Sequence, residues 1–98
     1  MLNEDKVNTI VREVATKRLA PYASGRVMSE PTSDSTGEDA LRITIVIEPD
    51  SAPKIGGEAV IDTLLQIHNR LREAGDDRFP IIEYATEKEL EDSGDPES

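Results

Sequence analysis

Apolar side chains occupy every second position from Leu41 to Ile47, with Arg42, Thr44, Val46 and Glu48 between and after them. In an extended chain successive side chains point to opposite faces, so the pattern predicts a strand over Ala40–Glu48. One face is wholly apolar and the other mixed, as in a sheet covered on one side. Upstream, Val7, Ile10, Val11, Val14 and Ala15 recur at helical spacing, and Leu19 extends the stripe. A helix from about Glu4 to Ala20 follows, with Asn3 as its cap and Pro21 as its stop. Downstream, Val60, Ile61, Leu64, Leu65, Ile67, His68 and Leu71 form a second, wider stripe. It predicts a helix over Glu58–Ala74 with all of these residues on its inward face, ended by Gly75.

Two weaker segments complete the pattern. Residues 25–30 hold only Val27 and Met28 as sizeable apolar groups, and are read as a strand because Ala40–Glu48 needs a partner. "FPIIEYA", residues 79–85, reads as a short strand whose Pro80 suits an edge or a strand start. The polar segment "PTSDSTGED" between the first two strands has turn composition. The element order is therefore α-β-β-α-β. A hairpin joins the first two strands, and the second helix carries the chain across to a parallel third strand. The expected class is α+β: a two-layer α/β sandwich with a three-stranded mixed sheet and both helices on one face. Residues 1–86 form this single domain, and the acidic segment 87–98 is expected to be a disordered tail.

Charge sharpens that division. The chain of 98 residues carries a net charge of −10. Residues 79–98 hold seven acidic groups and one basic, so −6 of the −10 lies in the last fifth of the chain. There are no cysteines, which removes disulfides and thiolate metal sites. The opening residues lack the basic region and apolar core of a signal peptide, and no apolar run approaches a membrane span. A soluble cytoplasmic protein is expected.

Candidate chemistry is sparse. "PDSAPKIGG" leads into the second helix, where open backbone amides attract anions. Lys54, Gly56 and Gly57 are thus a candidate anion-binding turn. The Walker spacing and the dinucleotide fingerprint are both absent, and Asp50 and Glu58 place negative charge where a phosphate would sit. Asp34, Glu38 and Asp39 cluster in the hairpin without the alternating ligands of a calcium loop. His68, the only histidine, lies at the edge of an apolar stripe, and no Gly-x-Ser-x-Gly turn accompanies it. No catalytic set, metal or cofactor is expected.

The order helix–strand–strand–helix–strand resembles the topology of KH domains. That resemblance implies nucleic-acid binding, but the Gly-x-x-Gly clamp between two helices is missing; "IGGE" stands between a strand and a helix. An acidic body repels phosphate backbones, so nucleic acid is an unfavoured partner. The expectation is a small non-catalytic protein-interaction or regulatory domain, adaptor- or antitoxin-like. Its partner is another protein, or a second copy joined through a sheet edge. The exposed sheet face bearing Arg42, Thr44, Val46 and Glu48 is a candidate contact surface. The alternative is a KH-like nucleic-acid or nucleotide-binding module using the Lys54–Glu58 turn.

Overall fold

A computed structural model describes residues 1–93. The chain forms α1 (Glu4–Arg18), β1 (Ala23–Ser33), β2 (Asp39–Ile47), α2 (Gly57–Glu73), β3 (Phe79–Ala85) and α3 (Glu87–Ser93). The sheet order is β1-β2-β3, with β1 antiparallel and β3 parallel to β2. This is the expected mixed three-stranded sheet in an α+β fold.

Both long helices cover the same face. Leu41, Ile43, Ile45 and Ile47 of β2 are buried together with Val7, Val11, Val14 and Ala15 of α1, its C-cap Leu19, and Ile67 and Leu71 of α2. Removing these side chains from water is the main favourable term available to a domain this small. Helix α1 begins where Asn3 Oδ1 accepts the Lys6 amide at 2.9 Å, satisfying one of the unpaired amides of the first turn. Helix α2 ends in a two-bond closure: the Gly75 amide donates to the Arg72 carbonyl and the Asp76 amide to the Leu71 carbonyl. Gly75 sits at φ +99°, a conformation a side chain would strain.

Strand β1 is nearly twice the length expected from its residues. Paired against β2 from Val27↔Ile45 to Ser33↔Asp39, it is templated by the stronger strand. Only Val27 and Ser29 are buried in it, so polar ties replace apolar ones. Ser29 Oγ donates to Asn8 Oδ1 at 2.7 Å, and Arg12 Nε donates to the Gly25 carbonyl at 3.0 Å, both from α1.

The segment 87–98, expected as a disordered tail, opens instead with a helix over Glu87–Ser93; residues 94–98 lie outside the described residues. The cause is a reciprocal cap. The Glu89 amide donates to Thr86 Oγ1, while Glu89 Oε1 accepts from the Thr86 amide and hydroxyl. Arg26 ties Glu87 back to β1.

Helix α2 also departs from expectation. Of its wide apolar stripe only Ile67 and Leu71 are fully buried, joined by Thr63. Ile61 is 60% exposed, Leu65 52% and Val60 38%. Widths explain this. Helix axes pack about 8–10 Å apart, and the outer strands of a three-stranded sheet are also about 10 Å apart. Since α1 packs mainly on β1, and α2 lies against α1 with β3 as its chief strand contact, the outer flank of α2 projects past the last strand. Among the described residues nothing beneath it covers the apolar side chains there.

The completely buried Ile43 gives a direct test of this core. Ile43→Ala is expected to lower the unfolding free energy by about 2–5 kcal/mol, measured by urea denaturation.

Candidate functional site

The turn before α2 holds a 3₁₀ segment, Ala52–Lys54, with Pro53 in its first turn and Ile55 as its C-cap. Gly56 caps α2 in an extended conformation, and Gly57 is the first helical residue. Neither glycine has positive φ, and a Cβ added to either would meet nothing within 4 Å. Lys54, Gly56 and Gly57 are all exposed, and Glu58 lies in the first turn. The turn is an open helix start with no wall around it.

The hairpin acids have structural work of their own. Asp34 Oδ1 accepts from the Thr36 amide and hydroxyl and from the Glu38 amide. These hydrogen bonds, led by the Thr36 hydroxyl, hold its carboxyl below the usual value. Among the described residues no three histidine or acidic side chains converge on a metal-sized site.

The expected open sheet face is mostly self-occupied. Arg42, in the central strand, bridges Glu30 of β1 at 3.8 Å and Glu83 of β3 at 3.3 Å. Thr44 is half-buried and Glu48 lies beyond the end of β2. Val46, expected on the exposed face, is 0% exposed. At this end β1 is bulged between Ala23 and Val27, and Ser24 Oγ donates to the Val46 carbonyl at 3.1 Å. Ala85, the β3 partner of Val46, leads directly into α3, whose Glu87 pairs with Arg26 of the bulge. The β1 bulge and the start of α3 therefore flank this end of β2, where Val46 is buried. Alternation in β2 cannot reveal that, because the flanking residues lie far away in sequence.

What remains open and apolar is the outer flank of α2 with the start of β3. Ile61 and Leu65 line the flank, and His68 meets Phe79 edge to face, with ring centroids 5.3 Å apart. Phe79 is itself 48% exposed, whereas Ile81, the register partner of Arg42, belongs to the opposite face of the sheet. The stripe of α2 was visible in the sequence; its exposure was not. The usable signal was width, since the stripe is broader than a three-stranded sheet covers.

A second feature had no sequence signature. Asp76 is fully buried and Arg78 nearly so. Asp76 Oδ2 accepts from Arg78 Nη2 at 2.6 Å and from the Leu2 amide at 3.1 Å, while Arg78 Nη2 also donates to the Leu2 carbonyl. The pair staples residue 2 onto the α2–β3 turn. The Arg78 hydrogen bonds, opposed by burial, bring the Asp76 carboxyl down to about 2. Elsewhere Thr63 Oγ1 and Tyr84 OH are sealed from solvent without an aligned hydrogen bond. Burial pushes the Tyr84 phenol up, with Thr63 acting the other way.

Comparison with known protein families, curated proteins and solved structures returned no match.

Two measurements test these assignments. Gly57→Ala is expected to stabilise the domain by about 0.5–1 kcal/mol in thermal or urea unfolding, because its φ suits alanine and the added methyl has free space. Because the folded-state value of Asp76 lies below the ordinary aspartate value of 3.8, its contribution is complete above that value and fades as pH falls toward 2. Asp76→Asn is expected to flatten stability across that acid window and, by stranding buried Arg78, to cost about 3–5 kcal/mol at neutral pH.

Proposed function

We propose that this protein is a small non-catalytic interaction domain whose contact surface is the outer flank of α2 and the adjoining end of β3. The observation that carries the reading is the exposed apolar row Ile61, Leu65 and Phe79 beside an unpaired sheet edge. Scattered apolar side chains are ordinary on a surface, but a row continuous across two elements marks a place where another chain binds. Supporting it, the opposite face of the sheet has its central arginine engaged by its own carboxylates. The Lys54 turn lacks walls and carries an acid. Net negative charge also disfavours nucleic acid.

The alternative, a KH-like nucleic-acid or nucleotide module acting through Lys54, Gly56 and Gly57, predicts a different response to ligands. Titration with nucleotides and short RNA, followed by amide shifts, is expected to leave residues 54–60 unmoved. Shifts confined to that turn would replace the interaction reading. In parallel, a photo-crosslinking side chain at Leu65 is expected to form a protein adduct in cells, while one at exposed Lys17 is not. Equal labelling at both positions, or none at Leu65, defeats the surface assignment.

A further inference from the structure

We infer that the occupant of this surface is a second copy of the chain, packed α2 against α2 in antiparallel fashion about Leu65. The inference rests on the interaction reading above and names its partner. Glu58, Ile61, Leu65, His68 and Arg72 follow one another at three- and four-residue spacing, so they form a single line along α2. Four of the five are exposed and His68 is half-buried. The line carries an acid at one end, a base at the other and mainly apolar groups between. Glu58 and Arg72 each stand seven residues from Leu65 (65 − 58 and 72 − 65).

A two-fold axis through Leu65 therefore sets Leu65 against its own copy, Ile61 near the other copy's His68, and each Glu58 opposite an Arg72. A symmetric interface demands this self-complementarity, with residue i meeting j and j meeting i. Seven residues of helix is about 10 Å. At the crossing angle of about 20° common for helix pairs, the ends diverge by only about 4 Å, within reach of these long side chains. Among the described residues, neither Glu58 nor Arg72 has an ion-pair partner within one chain, whereas Asp62 and Arg70 on the same helix pair with α1. The line is neutral in a chain of net charge −10, so it is where two copies meet with least repulsion.

Geometry also sets helix pairing apart from the sheet-edge pairing expected at first. Joining β3 to its copy in one sheet puts both α2 helices on one face, above strands about 5 Å apart. Two helices need about 8–10 Å. The flank that overhangs β3 blocks that edge to a second helix-bearing copy and offers itself instead.

Sedimentation equilibrium of the full chain is the test. A weak dimer is expected, with Kd on the order of 10 μM for a contact of this size. Leu65→Asp is expected to give a monomer with an unchanged circular dichroism spectrum, since the side chain is half in water already. Glu58→Arg and Arg72→Glu are each expected to weaken the dimer about tenfold by setting like charges opposite one another twice. Combining the two reversals is expected to restore it. A monomer at millimolar concentration, or a double reversal as weak as either single one, overturns the proposal. If the chain is monomeric while Leu65 still crosslinks a different protein, the interaction reading stands and only the partner is wrong; with no adduct either, both fall.

Discussion

The burial of one strand face organises this protein. Leu41, Ile43, Ile45 and Ile47 are each at most 2% exposed, and every long element contributes to covering them. Helix α1 presents four buried residues to that face, its C-cap Leu19 a fifth and α2 two more, while β1 and β3 flank it by hydrogen bonding. Strand β1 shows how far the constraint reaches. Its residues have little preference for an extended conformation, yet eight of its eleven positions pair with β2, which two helices hold in place.

Charge is arranged around that core in two regimes. Exposed pairs such as Arg42 with Glu30 and Glu83 are solvated, and each contributes no more than about 1 kcal/mol. Their effect is to occupy the open sheet face with internal partners. The Asp76–Arg78 pair is different in kind: fully desolvated on the acid side, bonded to residue 2 at both backbone groups, and coupled to the helix closure at Gly75. Buried ion pairs contribute geometry more reliably than net stability. Here the geometry fixes where α1 starts relative to the α2–β3 turn.

A mismatch of widths links fold to surface. Two helices on three strands leave the outer flank of one helix without support, and in this chain that flank is apolar. Among the described residues the sheet stops at three strands, and Ile61 and Leu65 face water. The functional reading follows from this residual surface rather than from any reactive group. The charged ends of the same line then supply orientation, which apolar contact alone does not provide.

Periodicity determined the elements that bury their own stripe. Period two over Leu41–Ile47 and helical spacing over Val7–Leu19 each specify a conformation and a face without reference to the rest of the chain. Their agreement on one apolar layer gave the α+β class. Tertiary structure decided whatever depends on distant residues. Val46 is buried at the end of β2 flanked by a bulge and a helix some twenty to forty positions away, and the Asp76–Arg78 staple closes on residue 2. Local capping at Thr86 and Glu89 was written in the sequence but hidden by an acidic composition that pointed to disorder. For α2 the sequence specifies which residues form the apolar stripe, but not how much of it is covered. Coverage depends on how many strands lie beneath and where the neighbouring helix sits, and neither quantity is local.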